Sequence, residues 1–256
     1  NLGPSLIVIC LVALSAQAAA DPPTASRDPS SYSNVDTIVT THFHLNLEAD
    51  FDNEVLKGTV TLDLVALQDA SQVVLDYQGL DISQATLEPN GEILNFELVT
   101  PNAAIGSAMI IYLTNKVKLG DTISVTVAYS TTSEGDSLSF MKAEQTDSKE
   151  MPYLFSQCEA NHCRALAPLQ DTPSIKSTYS ADIKVPSQFV VQMSAVNFNN
   201  DTTSDPDHIT YQFNLDIEIP SYLLAIAIGN LVRYDLGKTS KSQVSTYVVT
   251  EPTMIQ

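Results

Sequence analysis

Basic residues are scarce: 12 Lys and Arg stand against 30 Asp and Glu, a net charge of −18 over 256 residues. Nucleic acids and anionic lipid surfaces are bound by clustered Lys and Arg. The few basic residues here are scattered, so nucleic acid is excluded as a partner. Long apolar runs are also missing. The run over residues 6–14 (LIVICLVAL) is too short to span a bilayer. Only three cysteines occur, Cys10, Cys158 and Cys163. No long stretch carries a helical period, which argues against a helical fold. The sequence contains no H-E-x-x-H, G-x-M-E-N, G-x-S-x-G, Walker loop or dinucleotide fingerprint. A zincin-type metal site, a serine nucleophile elbow and a nucleotide cradle are therefore not encoded in these residues.

What is present begins with an export signal. The apolar run 6–14 is followed by Ala16-Gln17-Ala18-Ala19-Ala20, the hydrophobic core and small-residue cleavage site of a signal peptide over residues 1–20. The expected localisation is secreted or extracellular. Residues 21–34 are rich in Pro, Ser and Asp and read as a solvated linker. The chain opens on Asn1 and stops at Gln256, in the region of a promising strand over 244–249, so both ends read as truncated.

From Val35 onward the dominant period is two. Leu56, Val60, Leu62 and Leu64 share one face, with Lys57, Thr59, Thr61 and Asp63 on the other. Ile123, Val125, Val127 and Tyr129 repeat the pattern, as do Tyr179, Ala181, Ile183 and Val185. Shorter runs lie at 73–75, 93–98, 108–113, 189–193 and 209–213. Residues 222–228 are continuously apolar and read as a fully buried strand. Turn signals such as Pro89-Asn90-Gly91 and Asp205-Pro206-Asp207 separate the runs. Residues 130–149 read as one long polar loop and 199–207 as another. The second holds Asn200-Asp201-Thr202, a sequon for glycosylation at Asn200. The fold class is all-β, a sandwich or a twisted open sheet.

Residues 151–173, MPYLFSQCEANHCRALAPLQDTP, carry the most specific signal. The positions Gln157, Glu159, Ala160 and Asp171-Thr172-Pro173 resemble the Q-x-[EQ]-A turn and closing D-[ET]-P of the aminopeptidase-N-like zinc metallopeptidases, in their leukotriene-A hydrolase and aminopeptidase B branch. Leu56-Lys57-Gly58-Thr59-Val60 and Ile219-Pro220-Ser221-Tyr222-Leu223-Leu224-Ala225 resemble further elements of that family's amino-terminal domain. The resemblance implies a saddle-shaped twisted β domain over 35–231. It also implies the start of a truncated thermolysin-like catalytic domain over 232–256, with the missing remainder as intramolecular partner. By the same resemblance Gln157, Glu159 and Ala160 bind substrate, the acidic residue holding the free α-ammonium of a peptide. Arg164, Asp171 and Pro173 are structural. Zinc belongs to the full-length parent and none to these residues. Cytosolic members keep a similar C-x4-C as free thiols, so buried thiols at Cys158 and Cys163 are placed ahead of the disulfide that a secreted context permits.

Spacing alone reads Glu159 as a solvated loop carboxylate and Arg164–Asp171 as a surface pair; the resemblance assigns the roles above, and the residue chemistry is compatible with them. In an extended segment Gln157 and Glu159 project to one side and Cys158 to the other. A carboxylate suits an ammonium ion, and the pairing strengthens where water is excluded. The leukotriene-A hydrolases typically carry Gln at the second position, so Glu159 departs toward the ordinary aminopeptidases. Arg164 and Asp171 bracket the reversal with opposite charges, and Pro173 fixes its exit. His42 and His44 share one strand face but have no third ligand, and read as a polar outer face. Cys158, His162 and Cys163 lack a fourth ligand for zinc. Two functions remain open. One is the amine-recognising front part of a secreted zinc aminopeptidase, itself inactive, with an epoxide hydrolase of the leukotriene-A type as its variant. The other is a secreted, non-catalytic β-sandwich binding module.

Overall fold

The computed structural model describes residues 28–202, 205–241 and 243–255. The signal-peptide reading over 1–20 and the first part of the expected linker lie outside these residues. The strands, numbered in chain order, are β1 (Ile38–Asp50), β2 (Val55–Ala66), β3 (Ala70–Tyr77), β4 (Leu80–Glu88), β5 (Glu92–Ile93) and β6 (Phe96–Asn102). They continue as β7 (Gly106–Val117), β8 (Thr122–Thr131), β9 (Leu138–Met141), β10 (Tyr153–Ser156), β11 (Ser177–Pro186) and β12 (Val190–Met193). The last are β13 (Val196–Asp201), β14 (His208–Ile219), β15 (Ile226–Gly229), β16 (Val232–Lys238) and β17 (Ser245–Thr250).

An eight-stranded sheet runs β13-β14-β11-β1-β2-β8-β4-β5. A four-stranded sheet β12-β15-β10-β9 and a three-stranded sheet β3-β7-β6 accompany it, and β16-β17 form a separate hairpin. The period-two pattern is the cause. In β2, Leu56, Val60, Leu62 and Leu64 are buried, and in β11 Tyr179, Ala181, Ile183 and Val185 are buried. These inward faces join Val73, Leu75, Met109 and Ile111 of the three-stranded sheet in one apolar cluster. Leu154, Val191, Ile226 and Ile228 of the four-stranded sheet belong to the same cluster. All-β architecture follows from sheets that each bury one face against another.

One pairing is non-local and positions the rest. β1 lies parallel to β11, with His42 opposite Thr178 and Glu48 opposite Lys184. The chain between them must return to the starting end of β1 before β11 can begin, because parallel neighbours need a crossover connection. Residues 157–173 make that return.

Several local expectations are corrected. Residues 222–228 are not one buried strand: a 3-10 turn over Ser221–Leu223 precedes β15, and Leu223 is 49% exposed. Pro220 cannot donate to a ladder, and the Leu224 amide donates to the Ser221 carbonyl at 2.9 Å. Apolar content alone does not distinguish such a turn from a strand. The polar stretch 130–149 contains β9, which pairs with β10. The second polar loop begins as β13, an edge strand whose residues 196–200 are exposed and so carry no burial pattern to read. The run 93–98 is split between β5 and β6.

Residues 28–34 also differ from a solvated linker. The Asn34 amide donates to the Gln72 carbonyl at 3.0 Å and its oxygen accepts from the Val74 amide at 2.8 Å, so a side chain substitutes for a strand neighbour of β3. The chain enters the fold through these bonds.

Gly58 sits inside β2 with φ of +150°, and a Cβ placed there would lie 2.0 Å from the Asn46 carbonyl oxygen. Glycine is required by close approach of the neighbouring strand. Gly58→Ala is expected to lower stability by about 3 kcal/mol, the combined scale of overpacking and an unfavourable backbone. Urea denaturation checks it: an unchanged midpoint would mean that β1 moves aside freely.

Candidate functional site

The segment 157–173 begins where β10 ends. The Gln157 amide extends the ladder by donating to the Ser137 carbonyl at 2.7 Å. The alternation expected of an extended segment is present: Gln157 and Glu159 are exposed, and Cys158 between them is 1% exposed. Ala160 completes the exposed rim. The chain then turns, and the His162 amide donates to the Cys158 carbonyl at 2.8 Å. The side chains of Gln157 and Glu159 make no hydrogen bond among the described residues. His162 Nδ1 lies 2.9 Å from Asp136 Oδ2, on a half-exposed rim.

Cys158 and Cys163 are joined as a disulfide with a Cα–Cα distance of 4.6 Å, and Cys163 is fully buried. This corrects the preference for buried free thiols. Both sulfurs are buried as expected, but the turn brings them face to face.

Beneath the turn, a 3-10 turn over Cys163–Ala165 carries Arg164 into the interior, where it is 1% exposed. Its Nε donates to Asp171 Oδ2 at 3.0 Å, its backbone amide to the same oxygen at 3.1 Å, and its Nη2 to the Asp171 carbonyl at 2.8 Å. Nη1 donates to the Ile105 carbonyl. The expected clamp across the reversal is therefore a buried, multiply bonded pair. Such a pair orders structure, and removing one partner leaves the other charge unsatisfied.

A second carboxylate completes the cluster. Asp76, fully buried at the end of β3, accepts from Ser31 Oγ at 2.6 Å, the Tyr32 amide at 2.7 Å and the Asp171 amide at 3.1 Å. Burial pushes its carboxyl above the usual value of 3.8, and the Arg164 guanidinium opposes that rise. Asp171 Oδ1 accepts from Ser221 Oγ at 2.5 Å. Gln170 docks the reversal on β1: its oxygen accepts from the Thr40 amide at 2.8 Å and its nitrogen donates to the Ile38 carbonyl at 2.8 Å. Pro173 is exposed at the exit.

The reversal thus brings together Gln157, Glu159, Ala160, Arg164, Asp171 and Pro173. Asn200 stands apart, exposed on the edge strand β13, its oxygen accepting from Asn197 Nδ2 at 2.9 Å. His42 and His44 lie on the outer face of the large sheet and share the Ser180 hydroxyl, at 2.9 and 2.8 Å. Burial lowers the pKa of His42 below 6.5. Among the described residues no three His, Cys, Asp or Glu side chains form a group able to hold a metal. Asp76, Gln170 and Ser221 went unrecognised in the sequence. The signal for Asp76 was a lone carboxylate closing the apolar run Val73-Val74-Leu75.

Comparison with known proteins bears on the family and the fold. A family model described as the peptidase M1 N-terminal domain matches residues 39–223. Leukotriene A-4 hydrolase of Xenopus laevis is 34% identical over 212 residues, covering 82% of this chain and 34% of that protein. Leucine aminopeptidase 2-2 of Meyerozyma guilliermondii is 36% identical over 226 residues, covering 88% and 33%. The native leukotriene A4 hydrolase structure from Saccharomyces cerevisiae superposes with a TM-score of 0.75 at 30% identity, covering 88% of this chain and 33% of that one. An M1 zinc metallopeptidase from Deinococcus radiodurans shares the fold, with a TM-score of 0.64 at 20% identity, covering 83% of this chain and 47% of that one. The chain spans about a third of the length of the curated relatives it matches.

Arg164→Met is expected to destabilise the protein by about 3–5 kcal/mol, since Asp171 and Asp76 would be left buried without a cation. The pH dependence carries a sign. A buried carboxylate with a raised folded pKa holds a proton that the unfolded chain has already lost. Stability then falls as pH rises from 3.8 through the raised value. The variant should show a steeper fall over that window than the parent. Chemical denaturation at several pH values measures both effects, and parallel pH profiles would refute the role assigned to Arg164.

Proposed function

The chain belongs to the peptidase M1 N-terminal domain family, and we propose that it supplies the amine-recognising wall of a secreted zinc aminopeptidase that removes amino-terminal residues from peptides. The observation that carries the reading is that the Gln157 and Glu159 side chains are exposed and make no hydrogen bond among the described residues, while the turn that carries them rests on a buried, multiply bonded support. A binding loop fixed from below and open above is suited to present a carboxylate to a ligand. Glu159 accepts hydrogen bonds from a peptide α-ammonium, and Gln157 offers its amide beside it. Bound in this way, the amine sets the distance from the recognition loop to the scissile bond. Hydrolysis itself is assigned to residues outside this sequence, which carries no H-E-x-x-H and spans about a third of the length of its curated relatives. In the parent, zinc would supply activated water.

The division at Leu231, where β15 has ended and the β16–β17 hairpin begins, is proposed as the border with a catalytic domain. Tyr234, Leu236, Tyr247 and Val248 of that hairpin are exposed large hydrophobic residues, which supports their being covered by further polypeptide. Secretion is supported by the apolar run 6–14, by the exposed sequon at Asn200 and by the disulfide. Glu at position 159 favours peptide over leukotriene epoxide as substrate.

The test is Glu159→Gln in the complete protein. The change keeps size and removes charge, and a hydrogen bond to a charged group is worth about 1.5–3 kcal/mol. kcat/KM for peptides with a free amino terminus should fall by roughly ten- to a hundredfold, with KM raised and kcat lowered. Peptides with a blocked amino terminus should begin poor and change little. Equal losses for both substrates would show that Glu159 holds the loop and does not read the amine.

A further inference from the structure

The recognition loop has a weak outer edge and a strong inner one. On the outside, the His162–Asp136 contact is half-exposed and screened by water. Within the turn, one backbone bond links His162 to Cys158. Among the described residues the Glu159 side chain has no hydrogen-bond partner. On the inside, the disulfide joins Cys158, the residue immediately before Glu159, to Cys163, the residue immediately before the buried Arg164. Glu159, Ala160, Asn161 and His162 therefore sit in a small covalent ring. One side of that ring is fastened to the buried Arg164–Asp171 pair through the Arg164 amide and side chain.

From this arrangement we infer that the Cys158–Cys163 disulfide is the positioning device for Glu159: it transmits the rigidity of the buried ion pair to the carboxylate that selects a free amino terminus. The inference rests on the amine-recognition reading above and deepens it. The two cysteines touch no substrate. Their effect is geometric, because small displacements of an anchoring group are costly when the anchor also sets the reacting geometry. Reduction of the bridge would leave the Arg164–Asp171 bonds in place and free the ring above them. Selectivity for unblocked peptides would then depend on the thiol state, and the protein would need an oxidising compartment to acquire it.

The experiment uses the complete protein. Alkylation under non-reducing, denaturing conditions first counts the free thiols, and Cys158 and Cys163 are expected to resist modification. Their ready alkylation would overturn the inference at once. The ratio of kcat/KM for free against blocked amino termini is then measured for the parent, for Cys158→Ala/Cys163→Ala, for Glu159→Gln and for all three changes together. Removing the bridge should lower the ratio on the order of tenfold, mainly through KM for the free-amine peptide. In the Glu159→Gln background it should lower the ratio no further, since the anchor being positioned is already gone.

A purely structural role would reduce the amount of active protein and lower both substrates equally, leaving the ratio unchanged, and this would refute the inference. If Glu159→Gln itself leaves the ratio unchanged, the amine-recognition reading fails. If Glu159→Gln collapses the ratio and the cysteine variant keeps it, the positioning role alone fails. Where the cysteine variant does not fold, the parent equilibrated across a glutathione redox series replaces it. The ratio should then fall in step with the thiol fraction counted by mass spectrometry, and a ratio constant across the series counts against the proposal.

Discussion

The ion pair between Arg164 and Asp171 is the constraint on which the reversal depends. A guanidinium taken out of water must have its donors satisfied, or the interior will not hold it. Here the partners come from separate parts of the chain: the Asp171 carboxylate and carbonyl, and the Ile105 carbonyl in the turn before β7. Asp171 in turn accepts from Ser221 and donates its amide to Asp76. Asp76 then holds the entering chain at Ser31 and Tyr32. Satisfying one buried cation thus fixes the entry of the chain, the end of β3, the turn before β7 and the link from β14 to β15. The two carboxylates differ in position. Asp171 bonds the cation directly, whereas Asp76 takes its hydrogen bonds from hydroxyl and amide donors; burial raises its proton affinity and the Arg164 charge opposes that rise.

How far this was legible in the sequence follows from the range of each interaction. Strands that bury one face announce themselves by period two, and β2, β8 and β11 were readable for that reason. β13 was not, because an edge strand with both sides in water has no alternation to show. The run 222–228 misled because a buried apolar segment and a 3-10 turn share the same composition. Gln157, Glu159, Arg164 and Asp171 were legible as a resemblance, through local spacing. Asp76 and Gln170 were not, since their meaning lies in partners far along the chain. Asp76 meets Asp171 across a separation of 95 residues, and Gln170 meets Thr40 across 130. The isolated bridge between Asp76 and Leu169 creates the first encounter and the docking of Gln170 on the start of β1 the second, and no local pattern encodes either.

The same topology holds both ends of the loop on which Gln157 and Glu159 are exposed. Loops carry function when a rigid scaffold holds their ends. Here one end is the last ladder bond of β10 and the other is the Arg164 anchor. Gln170 extends the support by giving β1 the backbone partners it would otherwise lack at Ile38 and Thr40. Stability is concentrated below the loop, and chemical freedom is left above it.

That arrangement also determines what the loop cannot do alone. An ammonium ion meeting Glu159 on an open surface gains under about 1 kcal/mol, because water screens the pair. The same contact is worth several times more where water is excluded and the donors are aligned. The net charge of −18 attracts cationic amines from a distance, but that attraction is weakened by salt and selects no position on the surface. On the proposed reading, selecting an amino terminus requires two parts: a fixed carboxylate, the role proposed for Glu159, and a covering surface that removes water from it. The loop contributes position and charge. The strength of the contact is set by whatever closes over Gln157 and Glu159.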